Sequence, residues 1–336
     1  MTVKVTKPAI NVREELADLR KPSGVAGEAM LRAETPQEQF NLIGAGRRNL
    51  LINGSFRVSQ RGDYTSASTM THNVYMLDRW KNAAGVASTI QDLGGYVEIK
   101  ATAASGASTT RIFQLIEDLY LLEGQTVTVS CEMKSNSPNG RLMMHNGSWV
   151  ATDATHSGGG GWESLSFTTV MPDSLTVTSV QVGIDGNASA DVPIAIGDYC
   201  QIKNVQLEVG PIATPFEHRS YGEELAACQR YFERIEDNKD MICVCTSFTT
   251  QAAYGSIDYK VEKRTSPEIT FTGGASNYRY RNAGNNTTLV GIGATSINSQ
   301  NFRIDVDCGA GNITAGQSGW LSENTGATGI SIDAEL

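Results

Sequence analysis

The residues of this sequence best suited to chemistry are few, and they favour binding over catalysis. His145, Trp149 and Trp162 fall beside loops rich in Gly, Asn and Ser, in "MMHNGSWV" and "GGGGWES". Indole rings stack on the apolar C–H faces of sugars, while neighbouring polar groups meet the hydroxyls, so this trio is the candidate glycan-binding set. Core packing is the competing role for any tryptophan, and Trp80, just after "YMLDR", reads as core. A second group, Asp185, Asn187 and Asp191 in "GIDGNASAD", clusters oxygen ligands in one loop, as a hard cation such as calcium requires. A plain Gly-Asn turn accounts for the same residues.

Motifs with known catalytic mechanics are missing. "HSGGGGW" lacks the Gly-Lys-Ser/Thr of a phosphate cradle, and neither H-E-x-x-H nor G-x-S-x-G occurs. The four histidines are isolated from one another, so no catalytic residue is assigned and the expectation is a chain that is not an enzyme. Triads and carboxylate pairs assembled in space stay open, because they need no sequence proximity. Six scattered cysteines read as small buried hydrophobes. Cys243 and Cys245 share a strand face but have no second ligand pair for zinc. Arg61-Gly62-Asp63, an adhesion tripeptide in other contexts, is taken as a turn.

Composition narrows the partners. A net charge of −9 on 336 residues argues against a general nucleic-acid or anionic-membrane binder. No apolar run reaches the ~18 residues that would predict a membrane-spanning helix, and "MTVKVTKPAINVREE" has no apolar core of a secretory signal. The expectation is synthesis and folding in a cytoplasm, without membrane insertion.

The elements that must position these residues are mainly strands. Residues 1–48 carry two short capped helices, with Val12, Leu16 and Leu19 on one face and Phe40 and Ile43 on the other piece. Each is too short to stand alone in water, so the segment reads as an arm that docks on another surface. Residues 49–218 alternate with period two between turn residues, the pattern of a β-sandwich with one solvated face per sheet. Residues 219–238 predict a connector helix launched by the Ser220/Glu223 capping box. Tyr221, Leu225, Cys228, Phe232 and Ile235 recur along it at 4, 3, 4, 3, as on a helix seam, and packing on a neighbouring sheet explains the stripe equally well. Residues 239–336 are β again, a small domain that self-association would help to stabilise. "QLIEDLYLL" fits either a short helix or an edge strand.

Three stretches carry a resemblance: "RRNLLINGSFRVSQRG…YMLDRW", "CQIKNVQLEVGPIATPFEHRSYGEELAACQRYFER" and "GISIDAEL". They resemble tail-fibre and other virion appendage proteins of tailed phages, and the segment from "INVREELADLRKP" to "NLIGAG" is similar to attachment arms of marine and cyanobacterial phage structural proteins. The resemblance implies a jelly-roll-like carbohydrate-binding domain. It also implies a homotrimer held to other virion proteins of the tail, baseplate or capsid by the arm, and host-surface glycans as partners. This sequence departs from that family in lacking a long repetitive shaft, which favours a short fibre or adhesin. A capsid decoration or head fibre is the alternative, and a glycan-degrading spike a third.

Overall fold

Alternation of apolar and polar side chains drives this chain into strands, because each strand can then bury one face and leave the other to water. The computed structural model describes residues 48–106, 108–145, 154–186, 192–235, 241–282, 285–324 and 329–336. The arm residues Val12, Leu16, Leu19, Phe40 and Ile43, together with Trp149, Asn187 and Asp191, lie outside the described residues. Among the described residues the fold is mainly β, and no helix is long and apolar enough to cross a membrane.

The first part holds β1 (Ser68–Thr69), β2 (Tyr75–Leu77), β3 (Trp80–Ala84), β4 (Ser88–Asp92), β5 (Val97–Ala101) and β6 (Thr109–Leu115). It continues with β7 (Thr126–Ser135), β8 (Gly140–His145), β9 (Ala154–Thr155), β10 (Trp162–Val170), β11 (Ser179–Asp185) and β12 (Tyr199–Val209). Two six-stranded antiparallel sheets face each other in a jelly-roll-like sandwich. The first has the order β1-β4-β5-β12-β7-β10 and the second β2-β3-β6-β11-β8-β9. Val127, Val129, Cys131 and Met133 of β7, and Val205 and Leu207 of β12, fill the interior opposite Ile112, Val180, Val182, Leu142 and Met144. Trp80 is fully buried there, as its sequence context predicts, with its indole N–H donated to the Asn53 carbonyl. "QLIEDLYLL" splits into the end of β6 and a single 3₁₀ turn at Leu119–Leu121.

Helix α1 (Tyr221–Gln229) leads to β13 (Phe232–Ile235), β14 (Cys243–Ser247), β15 (Ala252–Asp258), β16 (Glu268–Phe271) and β17 (Tyr278–Asn282). After these come β18 (Asn285–Thr288), β19 (Gly291–Thr295), β20 (Asn301–Asp307), β21 (Ser318–Glu323) and β22 (Ile330–Asp333). They form a three-stranded sheet β13-β22-β16 and a seven-stranded sheet β18-β17-β21-β14-β15-β20-β19 around a second core, centred on Tyr278, Tyr280, Phe302, Ile304 and Leu321. All six cysteines are buried and unbridged.

The capping box at Ser220 and Glu223 forms as expected. The helix it starts is shorter than the sequence predicts: α1 stops at Gln229, and Phe232 and Ile235 belong to β13, paired with β22. The seam Tyr221–Leu225–Cys228–Phe232–Ile235 therefore does not exist as one helical stripe. Tertiary packing overrides the helical spacing here, because Tyr231 and Phe232 are needed as flat rings under two arginines. The Arg79 guanidinium lies 3.6 Å from the Tyr231 ring centroid, and that of Arg61 lies 3.8 Å from Phe232.

Those arginines join the two cores. Arg61 pairs with Asp333 at 3.1 Å and Glu335 at 2.8 Å, and Arg79 pairs with the other oxygen of Glu335. Arg79 also donates to the Leu115 carbonyl, and the Tyr75 hydroxyl donates to the carbonyl of Leu336. From α1, Glu224 accepts from the Asn53 N–H, and Arg219, just before the helix cap, donates to the carbonyls of Asn49 and Leu51. Lys263, fully enclosed, donates to the Gln229 carbonyl and to Glu233 at 2.7 Å; burial lowers its pKa against the pull of that carboxylate.

Breaking a buried ion pair by removing one partner costs ~3–5 kcal/mol, since the other charge is left stranded. Glu335→Ala is expected to lower stability by about that amount and to split calorimetric unfolding into two transitions, one per core. A single transition at the native midpoint would show that Glu335 does not join them. Asp78 adds a pH term. It is buried and accepts from the Gln60 N–H at 2.6 Å and the Gln60 amide at 2.9 Å; burial pushes its pKa up to about 6 despite these bonds. The folded value lies above the unfolded one, so the folded chain holds the extra proton and stability falls as pH rises from about 4 through 6, by on the order of 3 kcal/mol. Asp78→Asn should flatten the thermal midpoint across pH 4.5–7, measured by circular dichroism. An unchanged slope would rule out Asp78 as its source.

Candidate functional site

Recognition of a sugar by a sheet face requires exposed aromatic rings set among hydrogen-bonding side chains. The outward face of the first sheet provides both. Alternation on β10 buries Leu165 and Phe167 and turns Trp162, Ser164 and Ser166 to solvent. The same rule turns Glu132 and Lys134 outward on β7, Tyr199, Gln201 and Lys203 on β12, and Glu98 and Lys100 on β5. Register then aligns Trp162, Lys134, Gln201, Glu98 and Gln91 in a single row across five strands. Ser164, Glu132 and Lys203 form the next row.

The aromatic ridge crosses the middle of this face. Trp162, 41% exposed, leans over β7 and β12 to meet Tyr96 edge to face, with ring centroids 5.5 Å apart and planes at 87°. Lys203 lies beneath, its Nζ 4.5 Å from the indole centroid, and pairs with Glu132 at 3.0 Å. A β-bulge between Lys203 and Gln206, with Asn204 at φ 55°, turns the Asn204 amide onto the same carboxylate at 2.7 Å. Partial burial pushes the Glu132 pKa up, but the bonds from Asn204 and Lys203 outweigh it and hold the carboxyl below its usual value. Gln201 donates to Glu98 at 2.7 Å. The face is thus a set of fixed amides, carboxylates and ammonium groups beside two rings.

One edge of the platform is set by the loop "HSGGGGW". His156 is buried and spans it: Nδ1 accepts from the Gly158 N–H at 2.9 Å, and Nε2 lies 2.9 Å from the Gly161 carbonyl oxygen and 3.3 Å from the Ser135 N–H. Gly158 sits at φ 84°, and a Cβ there would come within 2.9 Å of the Pro138 nitrogen. The run of glycines is therefore a shaped turn tied from inside, delivering Trp162 to its strand.

Of the sequence-predicted trio, His145 and Trp162 are not brought together, and Trp149 lies outside the described residues. His145 closes β8 with the parity of Arg141 and Met143, outward on the second sheet, whereas Trp162 is outward on the first. The two occupy opposite faces of the sandwich. Tyr96, Lys134, Gln201 and Lys203 replace His145 as the companions of Trp162. The signal that could have found them was present: the same period-two parity that put Trp162 outward applies to β5, β7 and β12. For the calcium expectation, the Asp185 carboxylate is held by Arg111 at 2.7 Å. Among the described residues no group of three or more His, Cys, Asp or Glu side chains is placed to hold a metal ion.

A second concavity, of about 290 Å³, lies where the sandwich meets α1, lined by Arg79, Gln114, Glu117, Arg219, Arg230 and Tyr231 among others. Its charged groups already serve the fold. Arg230 pairs with Glu117 at 3.3 Å, the Tyr231 hydroxyl donates to Glu117, and Arg79 and Arg219 hold the contacts given above. Desolvation and the Glu117 partner raise the Tyr231 hydroxyl to about 12, so it stays protonated as a donor.

No protein-family model matches this chain, and no curated protein matches it in sequence. Solved structures with a similar course of chain include a carbohydrate-binding module, CBM4, at 16% identity and TM-score 0.30, over 47% of this chain and 98% of that one. The enzymatically active domain of bacteriophage CBA120 tailspike protein 4 is similar at 14% identity and TM-score 0.30, over 48% of this chain and 21% of that one. The tripod from the baseplate of bacteriophage Tuc2009 is similar at 14% identity and TM-score 0.32, over 83% of this chain and 90% of that one. At this looseness of superposition, the residues themselves carry the functional argument.

Proposed function

We propose that this chain is a non-catalytic, glycan-binding subunit of a phage virion appendage, a short fibre or adhesin that displays the Trp162 face to the host surface. The observation that carries the glycan reading is the Trp162–Tyr96 ridge, with Trp162 exposed and Tyr96 half-buried, flanked by the row Lys134–Gln201–Glu98–Gln91. Ring faces take the C–H side of a pyranose, and the amides and carboxylates beside them take its hydroxyls. The virion assignment follows the sequence resemblance, as do the homotrimer and the docking of residues 1–48 on tail, baseplate or capsid proteins.

A binding role fits the state of the carboxylates better than a hydrolytic one. Glycoside hydrolysis calls for a protonated acid whose pKa is raised. Glu132 is instead held below its usual value by Asn204 and Lys203, and Glu98 is engaged by Gln201. Capsid decoration or a head fibre is the second reading. The outward side of the seven-stranded sheet favours it, because Val244 and Phe248 are 59% and 73% exposed there and would suit contact with other subunits.

Trp162→Ala should leave folding within ~1 kcal/mol of the parent, as expected for an exposed side chain, while lowering binding to host envelope polysaccharide at least tenfold in a pull-down or interferometry assay. His156→Ala should behave oppositely. It empties a buried site and unpairs the Gly158 N–H and Gly161 carbonyl, costing ~2–3 kcal/mol in denaturant unfolding. Equal binding by the parent and Trp162→Ala would remove the platform from the function. Release of reducing sugar from the polysaccharide would make the chain an enzyme.

A further inference from the structure

The charges on the Trp162 face restrict which saccharides it would hold, an inference that rests on the glycan reading above. Five ionisable side chains point outward around the ridge: Glu98, Lys100, Glu132, Lys134 and Lys203. Their sum is positive, on a chain whose total is −9. Three of them already have partners. Glu132 is neutralised by Lys203 and also accepts from Asn204, and Glu98 accepts from Gln201. Lys134 and Lys100 remain, with no carboxylate at ion-pair distance among the described residues.

Their placement is specific. Lys134 is the direct cross-strand neighbour of Trp162 on one side and of Gln201 on the other. Lys100 is the cross-strand neighbour of Tyr199 and lies two residues from Glu98 on the same face of β5. Two strand spacings across and two residues along separate the lysines, roughly 12 Å between Cα atoms. That span is about the length of a disaccharide, with Gln201 between its ends. A sugar ring stacked on Trp162 therefore presents its substituents to an ammonium group on the side away from Lys203. A neutral sugar would leave both ammonium groups in water, neither gaining nor losing. A carboxylate, sulfate or phosphate on the sugar would form charge-assisted hydrogen bonds there.

We propose that the ligand of this face is an anionic saccharide, with its sugar ring on the Trp162–Tyr96 ridge and its acidic group between Lys134 and Lys100. The test uses the full chain on an array of matched saccharides in uronate, sulfated, phosphorylated and neutral forms, followed by titration of the best acidic hit against its uncharged counterpart. For uronates the counterpart is the methyl ester. The acidic form should bind about tenfold more tightly at low salt. That preference should vanish in the Lys100→Met/Lys134→Met variant and in 0.5 M salt, the acidic form then binding no more tightly than its uncharged counterpart. The array arms separate carboxylate, sulfate and phosphate as the source of charge. Equal binding of charged and uncharged forms, or a retained preference in the double lysine variant, overturns the proposal and leaves the glycan reading standing. Equal binding of single-stranded DNA reduces the face to a general polyanion site and overturns it too. Binding to no saccharide of any class overturns both readings.

Discussion

The structure depends on two buried guanidinium groups sharing one carboxylate. Arg61 and Arg79 leave the sandwich side by side, stack on Phe232 and Tyr231, and close on Glu335 from the far end of the chain. Burying such charges is unfavourable unless each is matched, so the cluster stabilises only when every member is present. That condition makes it a specificity device. Only one relative placement of the two cores lets Arg79 reach both Glu335 and the Leu115 carbonyl, and lets Tyr75 reach the carbonyl of Leu336. The hairpin between β2 and β3 aims the key residues. Its two-residue turn is Asp78-Arg79, with Arg79 at φ 69°, a conformation that costs any residue with a Cβ roughly 1 kcal/mol and that the ion pairs offset.

The three stretches that carry the sequence resemblance converge on this junction. From "RRNLLINGSFRVSQRG…YMLDRW" come Asn49, Asn53, Arg61, Asp78 and Arg79. Asn49 ties the segment to β12 through the Val205 carbonyl and the Leu207 N–H, and Asn53 holds Val58 and the Asp78 carbonyl. Gly54 packs so tightly that a Cβ would overlap the Val205 carbonyl oxygen. "EHRSYGEELAACQRYFER" supplies Arg219, Glu224, Tyr231 and Phe232, and "GISIDAEL" supplies Asp333 and Glu335. Trp162, Tyr96, Lys134 and Lys100 lie outside all three stretches. The resemblance therefore describes how the two β modules are joined, and the ligand has to be argued from the exposed face.

What the sequence made legible follows the same division. Period-two alternation placed Leu165 and Phe167 inside and Trp162 outside, and it placed Phe302, Ile304, Val306 and Cys308 in the second core, because a strand's side-chain parity is local. The Ser220 cap was legible for the same reason. The end of α1 was not, since what stops it is β22, a strand about a hundred residues downstream that claims Phe232–Ile235. The tripeptide at Arg61 looked like a solvent turn because its partners, Asp333 and Glu335, are some 270 residues away. His145 and Trp162 were grouped by loop composition, yet composition does not say which sheet a strand joins. His156 shows the same limit, its role fixed by a ring geometry that reaches Gly158 and Gly161.

A rigid junction changes what a weak sugar site can accomplish. A single exposed ridge with a few hydrogen bonds fits a dissociation constant of ~mM, and linking several such sites on one particle gains roughly 10²–10⁴ only when their geometry permits simultaneous contact. A floppy link between modules would spread the faces over many orientations and dilute the effective concentration. The Arg61–Arg79–Glu335 cluster and the Asn49 and Arg219 bonds instead fix β7, β12 and the Trp162 face relative to the seven-stranded sheet with its exposed Val244 and Phe248. Copies held through that sheet would present parallel Trp162 faces at a constant spacing. Under the proposed adhesin role, the unfavourable burial of two arginines would hold many weak contacts in one shared geometry.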